Sequence, residues 1–225
     1  MKNKIREFIY NRYNISFSQS GDDIQLKKLI NASTPGAYVD IGCWHPVKAS
    51  NTYYFYLRGW KGICIDPNPE LKFLYNKFRK KDIFINSAIG IENQNLKYYL
   101  LNDNYSSMNT LNHDFIKKHE LENQIKQVLN IPVHNLKDIL DINISKDDRL
   151  DFFDIDVEGL DLEVLKSNDW LKYRPKIILI ETDLSILKDI NSDIVQYLAT
   201  VDYRLIAKSY SNINLGNLFL INNQL

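Results

Sequence analysis

Short apolar, β-branched runs, spaced by helix-like connections, constrain the fold of this chain more than any other feature. Ala37-Tyr38-Val39-Asp40-Ile41-Gly42 is one such run, stopped by its glycine. Gly62-Ile63-Cys64-Ile65-Asp66 is another, ended by Pro67-Asn68-Pro69. Runs this continuously apolar suit strands covered on both faces, since a solvated face would call for alternating polar residues. Ile83–Asn86, Leu150–Ile155 and Lys176–Glu181 repeat the pattern, and helices are expected over Glu70–Arg79, Leu136–Leu140, Leu160–Ser167 and Asp193–Ala199. Strands Tyr203–Ser209 and Asn217–Ile221 close the series. Strand, connection and strand in this order make right-handed βαβ units. The expected fold is α/β: a Rossmann-like, doubly wound sheet of seven mostly parallel strands.

Residues 1–35 are expected to carry two leading helices, Lys2–Tyr13 and, behind the turn-forming Ser18-Gln19-Ser20-Gly21, Asp22–Ile30. The pattern breaks over residues 96–132. There an edge strand (Lys97–Leu101), a polar loop around Tyr105-Ser106-Ser107 and a helix through Phe115–Val128 read as an insertion on the substrate side of the sheet. No fixed-period repeat or Pro/Gly/Ser-rich linker divides the chain, so one domain over residues 1–225 is expected.

Charge narrows the function. The 28 basic and 28 acidic side chains cancel, leaving no net field toward a phosphate backbone, and nucleic acid is not the expected partner. Apolar runs fall well short of the roughly 18 residues that a membrane span needs, and the N-terminus lacks an apolar signal core. A cytoplasmic protein with Cys43 and Cys64 as free thiols is expected.

Open parallel sheets bind ligands beyond the carboxyl ends of their strands. Asp66 ends the second strand, where a carboxylate can accept from both ribose hydroxyls. After Gly42 the next glycine is Gly59, so the glycine nest that admits a pyrophosphate is missing. S-adenosylmethionine, a nucleoside without phosphate, fits this combination better than NAD. An aspartate in that place can also be a mere turn former.

Taken in order, Ser18-Gln19-Ser20-Gly21-Asp22-Asp23, Tyr38–Gly42, Ser50-Asn51-Thr52, Arg58-Gly59-Trp60-Lys61-Gly62, Ile65–Pro69, Ile155–Gly159 with Val164-Leu165, and Ile178–Glu181 resemble the FkbM family of S-adenosylmethionine-dependent methyltransferases. The resemblance implies the class I methyltransferase fold and O-methylation of a sugar or polyketide hydroxyl. It places Asp40, Gly42 and Asn51 around the methionine portion, Asp66 on the ribose, Asn68 in support of that loop, and Ser87-Ala88 at the adenine. It leaves the role of Gln19 open. Asp154 departs from the pattern, which commonly has Lys or Ser there.

Methyl transfer to a hydroxyl needs alignment and removal of a proton. Asp154, Asp156 and Glu158 lie at alternate positions of the fourth core run, and Glu181 ends the fifth. Carboxylates brought together raise one another's pKa, giving either a general base or an oxygen-rich site for a hard cation. Asp156, Glu158 and Glu181 are therefore the expected catalytic residues. Asp156 and Glu181 are the ligands should Mg²⁺ or Mn²⁺ take part, as analogy with catechol-type methyltransferases suggests. Glu158 could instead cap the helix beginning near Gly159. His45 could be a base, a ligand or turn structure, and His113, His119 and His134 read as surface residues. Trp60 and Tyr53-Tyr54-Phe55-Tyr56 read as core. The expected acceptor is a small-molecule hydroxyl compound, by family habit a sugar or nucleotide-linked sugar for surface polysaccharide. A nicotinamide-dependent sugar oxidoreductase or epimerase and a non-catalytic binding module are the alternatives. Adenine or cytosine N-methylation is disfavoured because Asp156-Val157-Glu158-Gly159 stands where an acid-Pro-Pro-aromatic signature would.

Overall fold

Each short apolar run forms a strand in the computed structural model, which describes residues 13–30, 34–145 and 149–224. The strands are β1 (Ala37–Ile41), β2 (Lys61–Ile65), β3 (Ile83–Ile85), β4 (Ala88–Ile89), β5 (Gln94–Leu101), β6 (Ile125–His134), β7 (Leu150–Ile155), β8 (Ile177–Thr182), β9 (Tyr203–Lys208) and β10 (Gly216–Asn222). The helices are α1 (Asp22–Leu29), α2 (Tyr53–Tyr56), α3 (Leu71–Phe78), α4 (His113–Lys118), α5 (Leu136–Asn143), α6 (Asp161–Lys166), α7 (Ile186–Asp189) and α8 (Asp193–Thr200). The helix expected over Lys2–Tyr13 falls, but for Tyr13, outside the described residues.

Seven strands join in the order β3-β2-β1-β7-β8-β10-β9. The pairings among β3, β2, β1, β7 and β8 are parallel, whereas β10 runs antiparallel to both neighbours. This is the expected doubly wound sheet. Because successive side chains of a strand alternate between faces, β1 sends Val39 and Ile41 to one core and Tyr38 to the other; β7 likewise divides Phe153 and Ile155 from Phe152. Leu136, Leu140, Val164, Leu165 and Leu198 cover the first face. Leu26, Tyr54, Phe55, Trp60 and Tyr75 cover the second. Burial of such a side chain is worth about 1.5–3 kcal/mol, so either face left bare would unmake the sheet. Trp60, Tyr54 and Phe55 are fully buried, as their sequence context suggested, while Tyr53 and Tyr56 are half-buried.

The insertion departs from expectation. The helix expected through Phe115–Val128 stops at Lys118, with Glu120 in the left-handed region (φ 55°) just beyond it. A short 3₁₀ turn follows, and then β6 pairs antiparallel with β5 from Gln94↔Val133 to Leu101↔Ile125. Lys97–Leu101 is thus part of a longer strand in a separate three-stranded sheet, β4-β6-β5, and is not an edge of the main one. Tyr98, Leu100, Ile131 and Val133 pack with Ala88 into a satellite core, which draws Ile125–His134 into strand form. Irregular architecture therefore begins at β4, before Leu96.

Candidate functional site

Strand order reverses between β1 and β7, since β1 leads outward to β2 and β3 while β7 leads to β8. A crevice opens beyond the carboxyl ends of strands at such a point. Gly42 makes the turn off β1 with φ 82°, a region that favours glycine. A Cβ on it would lie 1.7 Å from the Asp156 carbonyl oxygen. The chain after β7 therefore passes directly against the β1 turn, and Asp156 N–H donates to Ile41 O at 2.9 Å.

Two adjoining cavities occupy the crevice and share Gly42, Trp44, Ser107, Asp156 and Glu158 in their walls. The narrower, about 40 Å³, reaches Ile65, Asp66, Ser87 and Ala88. The larger, about 770 Å³, reaches Gln19, Asp40, His45, Asn51, Asp154, Glu181 and the α4 residues Phe115 and Lys118.

At the narrow end Asp66 is buried, and its carboxylate accepts N–H bonds from Trp44 at 3.0 Å and Asn68 at 2.8 Å. Burial pushes its pKa up to about 7 against those two bonds. Asn68 reaches neither cavity; its Oδ1 accepts from Glu70 N–H, so it shapes the turn that carries Asp66. Ser87 and Ala88 line the void, but the Ser87 hydroxyl is committed to the carbonyls of Ala88 and Pro132.

On the next strands, the same alternation that buries Tyr38 and Phe152 brings Asp40 and Asp154 side by side in register. Asp40 accepts from Thr52 Oγ1 at 2.5 Å, and burial pushes it to about 6. Asp154 accepts from Asn51 Nδ2 at 3.1 Å; burial, then the charge of Asp40, holds it well above the carboxylate range. Beneath them lies a buried cation absent from the sequence expectations, Arg79. It pairs with Asp82 at 2.7 Å and donates to Tyr38 Oη, Thr52 Oγ1 and the Pro46 carbonyl. Its place at the end of the helix expected over Glu70–Arg79 carried no sign of this role.

The acids of β7 and β8 converge as expected. One oxygen each from Asp156, Glu158 and Glu181 lie within 4.8 Å of one another. Desolvation, then Glu181 and Glu158, holds Asp156 well above its ordinary range; desolvation and Glu181 push Glu158 to about 8; desolvation and Asp161 push Glu181 to about 7. Glu158 adopts φ 53° and does not cap α6, whose N-terminus shows no side-chain cap bond. The wall beyond Glu181 is pinned by the buried Lys208–Asp189 pair and by Lys208 Nζ donating to Leu184 O.

The loop after Gly42 completes the crevice. Trp44, with φ 25°, donates from Nε1 to Ser106 Oγ at 3.2 Å, tying the loop to the insertion. Ser106 and Ser107 line the cavities; Tyr105 does not. Gln19 and His45 both line the larger cavity, as does exposed His119 at its mouth.

The doubly wound sheet, with its crevice at this reversal and the buried Asp66 closing β2, has the architecture of class I S-adenosylmethionine-dependent methyltransferases. The profile of the methyltransferase FkbM domain matches residues 36–205, and the chain belongs to that family. No curated protein sequence matches it. Among solved structures, it is similar to precorrin-6y C5,15-methyltransferase from Geobacter metallireducens (12% identity, TM-score 0.46, 89% of this chain and 86% of that one). It is also similar to a Burkholderia thailandensis 1,6-didemethyltoxoflavin-N1-methyltransferase holding S-adenosylhomocysteine (9%, TM-score 0.46, 90% and 76%). A human methyltransferase 10 domain containing protein is a third (14%, TM-score 0.44, 89% and 80%).

Proposed function

We propose that the protein methylates a hydroxyl of a small acceptor, a sugar or nucleotide-linked sugar destined for surface polysaccharide. The observation that carries this reading is the meeting of three carboxylates, Asp156, Glu158 and Glu181, in the wall of a cleft that also reaches Gly42 and the β1 loop. S-adenosylmethionine supplies, when bound, a methyl group already activated on a sulfonium centre. Asp66 would hold its ribose, Ser87 and Ala88 would flank its adenine, and Asp40, Gly42 and Asn51 would surround its methionyl portion, with Asn68 fixing the ribose loop. Asp66, Asp154 and Asp156, which form no ion pair among the described residues, suit a ligand carrying two positive centres.

The remaining task is at the acceptor. A sugar hydroxyl is scarcely ionised near neutral pH, so its O–H bond must break as the new C–O bond forms. Glu181 and Glu158, at about 7 and about 8, sit where a carboxylate can both be ionised and take that proton. Asp156, whose backbone packs against the Gly42 turn, would orient the hydroxyl. Gln19 gives the same cleft a further polar group for a polyhydroxylated acceptor. The same three oxygens also favour a second reading, in which Asp156 and Glu181 hold Mg²⁺ or Mn²⁺ and the cation acidifies the hydroxyl. A cytoplasmic setting is supported by the two buried free thiols, Cys43 and Cys64. Among the described residues no helix is long and apolar enough to cross a membrane.

The test is methyl transfer from labelled cofactor to a panel of sugars and nucleotide-linked sugars. Asp156→Asn should lower kcat by at least about a hundredfold while S-adenosylhomocysteine affinity stays within about threefold. Folded wild-type protein that fails to bind S-adenosylhomocysteine would refute the reading. Chelation followed by single-cation add-back separates its two forms: activity retained after stripping selects the base, and activity lost and restored selects the ion.

A further inference from the structure

The amino-acid end of the cofactor is a zwitterion, so a site for it must offer acceptors to an ammonium and donors to a carboxylate. Acceptors abound in the large cavity: Asp40, Asp154, Asp156, Glu158, Asp161 and Glu181 all line it. Donors are few, and several are committed. Asn51 Nδ2 is given to Asp154, and Lys118 Nζ is paired with Asp183 at 2.9 Å. Gln19 and Ser107 also line the cavity, and the loop that follows Gly42 adds two more donors to its wall, His45 and Lys48.

His45 is set there in one protonation form. Its Nδ1 accepts two backbone N–H bonds, from Val47 at 3.0 Å and Lys48 at 2.9 Å. A nitrogen that accepts carries no proton, so the ring is neutral and its hydrogen is on Nε2. Desolvation and then the charge of Lys48 lower its pKa, in keeping with that form. Such a ring is a fixed donor, not a base. Lys48 is exposed and has no ion-pair partner among the described residues. The loop beneath is held in advance: Arg79 donates to the Pro46 carbonyl at 2.9 Å, and Tyr75 Oη donates to the Cys43 carbonyl at 2.7 Å. Two non-glycine residues, Trp44 and Ala49, have positive φ in this loop, backbone strain of the kind that concentrates at ligand clamps.

We propose that His45 and Lys48 together seat the α-carboxylate of the cofactor, His45 by donating from Nε2 and Lys48 by supplying the opposite charge. The proposal rests on the cofactor occupying this crevice and adds the two residues that orient its amino-acid end.

Calorimetric titration with two compounds tests it: S-adenosylhomocysteine, which has the carboxylate, and 5′-methylthioadenosine, which lacks the amino-acid end. Lys48→Met, a change on the surface, and His45→Asn, which keeps an acceptor at the Nδ1 position but has no donor at Nε2, should each weaken S-adenosylhomocysteine about tenfold. Neither should alter methylthioadenosine affinity by more than about twofold. His45→Gln, which restores a donor at the Nε2 position, should recover part of the loss. Equal weakening of both compounds, or no weakening of either, overturns the assignment and leaves His45 a turn former. Wild-type protein that bound neither compound would remove the cofactor site itself, and this proposal with it.

Discussion

Gly42 and Asp66 show how much rests on single positions in this crevice. A methyl group on Gly42 would have to enter the Asp156 carbonyl while the backbone kept φ 82°. Gly42→Ala should therefore cost about 2–4 kcal/mol in urea unfolding, from overlap and left-handed strain combined, and should abolish S-adenosylhomocysteine binding. Asp66 predicts a pH dependence. Its folded pKa, about 7, lies above the ordinary value, so it favours the folded state most when protonated in both states, and that contribution is lost as pH rises through 7. Binding runs the other way, because the ionised carboxylate is the far stronger acceptor for two ribose hydroxyls. Affinity for S-adenosylhomocysteine should rise up to about tenfold between pH 6 and 8, with a proton released to buffer below pH 7, as titrations in buffers of different ionisation enthalpy would register. A flat profile would mean that Asp66 does not touch the ligand. At this scale the sequence was informative wherever a residue ends a strand: Asp66, Gly42, Asp156 and Glu181 all face the crevice. It was silent where function depends on which partner a side chain already has, as with the spent hydroxyl of Ser87 and the acceptor nitrogen of His45.

Helix α3 and strands β1 and β2 are locked together by one buried charge. Arg79 Nε and Asp82 Oδ2 are 2.7 Å apart with both side chains fully buried, and Asp82 also accepts from Gly62 N–H and Tyr38 Oη. Arg79→Met would leave that carboxylate uncompensated, so a loss of about 3–5 kcal/mol in chemical denaturation is expected. The folded fraction should bind S-adenosylhomocysteine weakly, since the Pro46 carbonyl and Thr52 lose their common donor. A variant as stable as wild type would show that the cation is not what fastens these elements. Strand and helix runs with a strong apolar signal were legible here, β1, β2, β7 and β8 above all. Ile125–His134 was not, because only Ile131 and Val133 of that strand are buried and its remaining positions carry polar or half-exposed side chains. With so thin an apolar face, periodicity could not separate helix from strand; pairing with β5 decided it.

For the molecule as a whole, the doubly wound sheet could be read because strands buried on both faces leave a continuous apolar trace. The second sheet could not, since its short β4 and its mixed β6 gain their form only from each other and from β5. The final exchange of strand order was hidden for a related reason: nothing local tells a run whether its neighbour precedes or follows it. That exchange has a consequence for biosynthesis. β10 stands between β8 and β9 although it is made after both, so β8, already paired with β7 on one edge, waits for its second neighbour, and β9 for its partner in the sheet, until the ribosome has delivered the stretch beyond Gly216. From the completion of β8 until β10 is delivered, a nascent chain thus carries an open row of amides and carbonyls along the β8 edge that holds Glu181, and premature termination within β10 would leave that sticky border exposed to other chains.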